Sequence, residues 1–161
     1  MKKPVIFFTI ASNRYKEYSD KMVKSLMKVT DLPIKIFNQG DIDRANEAGY
    51  YSSWYSFFGA ELAKEYDLVI QIDADSIILS SLDELLENNY EVGSTLANYP
   101  TSAGVYLPDV PTNKYLNCGL VASRSERFWN LWKLNNLRYM DHYKYGEQDV
   151  MNIMLAYNDF N

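Results

Sequence analysis

Two short apolar runs set most of what this chain can become. Residues 5–10 (Val-Ile-Phe-Phe-Thr-Ile) and residues 68–72 (Leu-Val-Ile-Gln-Ile) are nearly unbroken and rich in β-branched and aromatic side chains. A strand wetted on one face alternates apolar with polar; an unbroken run predicts a strand covered on both faces. Between these runs, Tyr15, Tyr18, Met22, Leu26 and Val29 recur at steps of three and four, and so do Tyr51, Trp54, Tyr55, Phe58, Leu62 and Tyr66. That spacing predicts two amphipathic helices. Gly59 either weakens the second helix or lets another element approach it closely.

The rest of the chain continues the alternation. Residues 34–37 read as a second strand, 38–49 as a polar loop, 82–86 as a short helix, 90–97 as a fourth strand and 116–122 as a fifth. A helix over 125–137 turns Phe128, Leu131 and Trp132 inward, and one over 147–157 turns Val150, Ile153 and Met154 inward. Residues 98–114 carry three Pro and one Gly and read as a long loop, a type often functional. Strand-helix order of this kind predicts an α/β fold with a mostly parallel sheet flanked by helices. At 161 residues the expectation is a single domain over 1–161.

Composition excludes several classes. An apolar share of 47% supports a packed core, against a disordered chain or a coiled coil. A net charge of −5 does not make the basic field that nucleic acid requires. No apolar run approaches the roughly 18 residues of a transmembrane segment. Cys118 is the single cysteine, so no intramolecular disulfide forms, which fits a reducing, cytoplasmic setting. Met1-Lys2-Lys3 followed by apolar residues imitates a signal peptide, but a charged helical segment follows at once, and the run reads as a first strand. The 14 Tyr suit a half-wet concave surface or simple core and rim packing.

The sharpest chemical feature is Gln71-Ile72-Asp73-Ala74-Asp75-Ser76, where two carboxylates leave the carboxyl end of an apolar strand. In an open α/β sheet that end faces the ligand crevice. Hard divalent cations prefer carboxylate oxygens and share them with substrate phosphates. With 12 Asp in the chain, about one Asp-x-Asp is expected by chance, and the second, Asp41-Ile42-Asp43, reads as a solvated turn. Context separates the two: Asp73 and Asp75 are hemmed by apolar residues and would repel each other without a cation. Two more polar edges stand out. Asn117-Cys118-Gly119 opens the fifth strand, as a turn amide or as a ligand contact. Glu147-Gln148-Asp149 opens the last helix, where acids also serve the helix dipole.

Taken together these segments resemble a GT-A-fold (Rossmann-like) glycosyltransferase of family 8, the retaining group that includes glycogenin and the lipopolysaccharide galactosyl- and glucosyltransferases. The resemblance rests on "FFTIASNRYKEYSDKMVKSL", "YDLVIQIDADSIILSSLDELL", "YLNCGLVASRSERFW" and "GEQDVMNIML", in that order. It implies a hexosyl transferase acting on a UDP-sugar with retention. Thr9, Ala11, Asn13 and Tyr15 would hold the uridine, with Tyr15 stacking on the base. Asp73 and Asp75 would bind Mn²⁺ or Mg²⁺ bridging the diphosphate. Asn117 and Gln148 would lie beside the donor sugar, and Glu147 or Asp149 would contact its hydroxyls. The partners implied are the donor and a saccharide or glycolipid acceptor, with peripheral membrane association as in relatives.

Two departures accompany the resemblance. Residues 50–63, before the metal strand, hold no Lys or Arg where relatives often carry a basic residue. The family's third metal ligand, a His in a C-terminal segment, has no counterpart in these residues, so against the family the expectation is a domain without its usual C-terminal part, as a truncated, minimal or degenerate form; His142, in a loop, reads as solvated. Two other readings remain open at this stage. One is a binding-only or inactive module of the same fold. The other is a haloacid-dehalogenase-type phosphatase with Asp73 as nucleophile, which requires a downstream Lys and a Gly-Asp-x-x-x-Asp pattern that does not follow residue 76.

Overall fold

The computed structural model describes residues 2–97, 107 and 109–160. Five strands form one sheet in the order β2-β1-β3-β5-β4. They are β1 (Lys3–Ile10), β2 (Ile34–Phe37), β3 (Tyr66–Ile72), β4 (Val92–Leu96) and β5 (Leu116–Ser123). β1 pairs in parallel with β2 and β3, while β5 runs antiparallel to both β3 and β4. Four strands therefore share one direction and β5 is reversed. The mostly parallel α/β architecture expected from the sequence is present, with that one inversion.

Helices cover both faces. On one face lie α1 (Lys16–Leu26) and the short α4 (Asp83–Glu87), which pack on Phe7, Leu68, Ile70 and Ile72. On the other lie α2 (Gln39–Glu47), α3 (Trp54–Leu62), α5 (Glu126–Tyr139) and α6 (Glu147–Tyr157), over Ile6, Phe8, Ile10 and Val69. Successive β1 residues thus enter opposite layers, and both are apolar, which is why that strand shows no polar alternation. On the second face Phe37 stacks on Phe58 at 3.8 Å, and Phe8 meets Phe37 and Trp129 edge-on at 5.9 and 6.0 Å. Burying each such phenylalanine contributes about 2–3 kcal/mol.

Gly59 has a packing reason. A Cβ built there would lie 2.2 Å from Cε3 of Trp129, so the missing side chain lets α3 close onto α5.

The structure corrects four expectations. Residues 38–49 are not a loop: α2 starts at Asn38, whose side chain accepts from Gly40 N and Asp41 N while Asp41 accepts from Asn38 N at 3.0 Å. This reciprocal cap gives Asp41 a helical task, and Ile42 is core, 2% exposed, so Asp41-Ile42-Asp43 is no solvated turn. Tyr66 opens β3 instead of closing the preceding helix, and Tyr15 and Tyr18 are exposed while Ser19 and Ser25 take the buried side of α1. Of the long 98–114 segment, 98–106 and 108 lie outside the described residues; Leu107 and Val110 pack with buried Tyr115. Among the described residues no helix is long and apolar enough to cross a membrane.

Candidate functional site

At the carboxyl ends of β1 and β3 lies a cleft of about 490 Å³. β1 ends in a tight 3-10 turn, Asn13–Tyr15, closed by Tyr15 N donating to Ser12 O at 2.8 Å. The turn sets Ser12, Arg14 and Tyr15 along one wall. Ile42 of α2 and Trp54 and Tyr55 of α3 form the opposite wall, and Trp54 is fixed by its indole N–H donating to Asn46 Oδ1 at 2.8 Å. Ser52, with φ of 60°, also lines the cleft; it is the one described non-glycine residue in the left-handed region, at the turn delivering α3. Asp73, Ala74 and Asp75 complete the lining where β3 ends.

Asp73 is half-buried and Asp75 exposed. The Asp73 backbone is held by its N–H donating to Gly119 O at 2.8 Å, and its Oδ1 accepts from Gln71 Nε2 at 3.1 Å. Burial pushes the Asp73 carboxyl above the usual carboxylate range; hydrogen bonds from Tyr55 and Gln71 oppose this, and the charge of Asp75 adds to it. Burial and the facing Asp73 carboxylate push the Tyr55 phenol far up, so Tyr55 stays a neutral donor. No ion pair among the described residues involves Asp73 or Asp75, and no group of three or more His, Cys, Asp or Glu among them is arranged to hold a metal. Two carboxylates lining one cleft, one of them desolvated and met among the described residues by neutral donors, have the oxygen-donor chemistry of a Mg²⁺- or Mn²⁺-type ion, with further ligands left to substrate and water.

The adjoining rim is built by an irregularity in β5. Ser94 pairs with Val121 but the next residue, Thr95, pairs with Asn117, so Cys118, Gly119 and Leu120 form a bulge toward β4 while Leu120 stays paired with Ile72 of β3. The Ser94 hydroxyl braces the bulge, within hydrogen-bond distance of Asn117 O and Leu120 O at 2.5 and 2.8 Å. Such bulges re-aim side chains beside functional sites. Here the result is a shared space over Gly119. A Cβ at that position would sit 2.7 Å from Asn117 Oδ1 and 3.1 Å from Asp73 Oδ2. Asn117 Oδ1 accepts from Gly119 N at 2.6 Å, while its Nδ2 has no partner among the described residues. Gln148 clamps the bulge from α6, with Oε1 accepting from Cys118 N at 3.0 Å and Nε2 donating to the Tyr115 hydroxyl at 3.1 Å.

The structure thus brings Tyr15, Asp73 and Asp75 into one cleft, sets Asn117 and Gln148 at the adjoining bulge, and gives the other expected residues partners of their own, with Glu147 near enough to Asp73 for their charges to couple. Thr9 is fully buried in the sheet, because alternation along β1 turns it toward α1 with Phe7, and its hydroxyl has no hydrogen-bond partner among the described residues. Ala11 is 7% exposed and donates its N–H to Phe37 O, and Asn13 is exposed on the turn outside the cleft lining. Asp149, expected at sugar hydroxyls, is fully buried, with one oxygen taken by the Tyr115 hydroxyl and the other accepting from Tyr145 N at 2.9 Å. Glu147 ties α6 to α3: its Oε1 accepts from Ser56 N at 2.9 Å and Asn136 Nδ2 at 3.1 Å. Burial pushes the Glu147 carboxyl up to about 8, against the hydrogen bonds from Ser56. His142 is exposed, packed edge-on to Tyr139 at 6.5 Å. The sequence reading missed Tyr55, hidden in an aromatic stripe, and Arg14, embedded in a polar turn.

No family model and no curated protein matches the sequence. Solved structures do match in fold. The glycosyltransferase GlyE of Streptococcus pneumoniae TIGR4, in its apo form, superposes with a TM-score of 0.65 at 16% identity over 95% of this chain and 43% of its own. The apo structure of the bifunctional glycosyltransferase WbbM superposes at 0.66 with 14% identity, over 94% of this chain and 37% of its own. This chain is similar in fold to those glycosyltransferases and spans less than half the length of each.

Proposed function

We propose that the cleft binds a UDP-sugar together with Mn²⁺ or Mg²⁺ and that the chain carries the donor half of a hexosyl transferase acting with retention. The observation that carries this reading is the pair Asp73 and Asp75 at the end of β3, unpaired by any described cation and lining a cleft walled by Tyr15, Trp54 and Tyr55. The glycosyltransferase fold of the structural neighbours supports it.

In this reading Tyr15, 40% exposed, offers its ring to the uracil. Asp73 and Asp75 would hold the cation, which when bound supplies charge neutralisation of the diphosphate. Tyr55 and Gln71 orient Asp73 by hydrogen bonds, and Gln148 holds the bulge that presents Asn117. The Nδ2 of Asn117, without a partner among the described residues, is suited to a hydroxyl of the donor hexose. Neither amide is a strong nucleophile. The reaction then breaks the anomeric C–O bond to the diphosphate and forms one to the acceptor oxygen on the same face, the acceptor proton passing to the departing phosphate. Catalysis of this kind rests on positioning and electrostatics. The saccharide or glycolipid acceptor and any peripheral membrane contact belong to the same proposal.

A phosphatase reading, with Asp73 as nucleophile, wants a lysine beside it, and no lysine is among the described residues lining the cleft. The test is a panel of nucleotide sugars assayed by thermal shift with Mn²⁺, followed by product analysis. Stabilisation by UDP-sugars with transfer or slow hydrolysis supports the enzyme; stabilisation without turnover makes the chain a binding module. Absence of any nucleotide-linked stabilisation contradicts the reading.

A further inference from the structure

We infer that Arg14 is the phosphate anchor of the cleft, holding the donor diphosphate and favouring its released form; this rests on the donor reading above. The motivation is charge. Asp73 and Asp75 would between them offset the two charges of a bound divalent cation, leaving the diphosphate's own charge of about −2 in the donor and about −3 once released. Something else positive has to face it. The sequence offers no Lys or Arg over residues 50–63, along the opposite wall. Among the described residues lining the cleft, Arg14 is the cation.

Three observations favour this guanidinium. It stands on the turn after β1 beside Tyr15 and lines the same cleft as Asp73 and Asp75. It is exposed and joins no ion pair among the described residues, so no carboxylate competes for it. Its one described contact is the Tyr15 ring, with the guanidinium carbon 5.9 Å from the ring centroid, which leaves its N–H groups available. A planar fork of donors matches two phosphate oxygens at once. Because the leaving diphosphate gains charge as the anomeric bond breaks, the same contact strengthens along the reaction.

The experiment is calorimetric titration of the chain with uridine, UDP and inorganic pyrophosphate, each with Mn²⁺, for wild type, Arg14→Gln and Arg14→Lys. Arg14→Gln is expected to weaken UDP and pyrophosphate about tenfold at low salt, the worth of one charge-assisted contact, and by less at high salt. Uridine affinity and thermal midpoint should not change, since Arg14 makes no hydrogen bond or ion pair among the described residues. Arg14→Lys should restore part of the UDP affinity and less of the pyrophosphate affinity, a point charge replacing a fork. Equal losses for uridine and UDP would mean that Arg14 supports only Tyr15, and unchanged UDP and pyrophosphate affinity would remove it from the site; either overturns this inference while wild-type UDP binding upholds the donor reading. Failure of the wild type to bind UDP overturns both.

Discussion

Replacing Gly119 with alanine is a local test of how the site is assembled. The added Cβ would fall 2.7 Å from Asn117 Oδ1, 3.1 Å from Asp73 Oδ2 and 3.7 Å from the Asp73 carboxyl carbon. The first distance is not tolerated, so the Asn117 amide swings away and gives up its 2.6 Å bond from Gly119 N, a loss of about 1 kcal/mol. The second forces the Asp73 carboxylate back by a few tenths of an ångström. Gly119 is not at positive φ, so alanine adds no backbone strain and recovers about 0.5–1 kcal/mol of chain entropy in the strand. The two stability effects nearly cancel, and urea unfolding should show a change below about 1 kcal/mol. Binding should suffer far more, because the substitution displaces a candidate metal ligand and a candidate sugar ligand together. UDP affinity in Mn²⁺ should fall about tenfold, and transfer or hydrolysis about a hundredfold, as expected for ångström-scale misplacement. A stable Gly119→Ala protein that binds UDP with unchanged Mn²⁺ dependence would refute the idea that the space over Gly119 is part of the site.

Three further outcomes follow from the geometry. Gly59→Ala should destabilise the fold by about 2 kcal/mol in urea unfolding, because overpacking against Trp129, fully buried and 2.2 Å from the new methyl, costs about 3 kcal/mol and outweighs a helix gain of about 1. Glu147 binds a proton more tightly folded than unfolded, so in EDTA its contribution to stability should be fully present below about 4.5 and be lost as pH rises from about 4.5 to about 8. The ceiling is about 5 kcal/mol at about 1.4 kcal/mol per pH unit; with Ser56 and Asn136 bonded to the carboxylate we expect about 2, and Glu147→Gln should flatten most of the slope in pH-dependent unfolding. Asn117→Ala and Gln148→Ala should leave UDP binding within about threefold and lower transfer, which titration and product assay measure separately.

What the sequence discloses depends on whether one element or several make the signal. β1, β3 and α6 are legible because a buried strand or an amphipathic helix writes its environment into consecutive side chains; α6 runs over Glu147–Tyr157 as its periodicity predicts. α2 is not, since only Ile42 and Ala45 of its residues are buried and its cap is Asn with Asp in place of the familiar Ser or Thr with Glu. Asp73 and Asp75 are legible from their position at a strand's end. Tyr55 is not, because its place in a helical aromatic stripe is indistinguishable from that of buried Phe58 until α3 is set over β3. Nor can Glu147 and Asp149 be told apart from ligand-facing acids: an acid in a first helical turn reads the same whether it meets solvent, a sugar, or, as here, the backbone of Ser56 and Tyr145. The reversed direction of β5 and its bulge at residues 118–120 also arise only from pairing with β3 and β4.

The most direct test of the whole account is UDP binding to wild type and Asp75→Ala, titrated calorimetrically in Mn²⁺ and again in EDTA. Asp75 is exposed and bears no described structural bond, so the variant should fold normally. The account predicts wild-type affinity at least about tenfold higher in Mn²⁺ than in EDTA, one charge-pairing interaction's worth, and loss of that difference in the variant. An Asp75→Ala protein that retains the full Mn²⁺ dependence would contradict it.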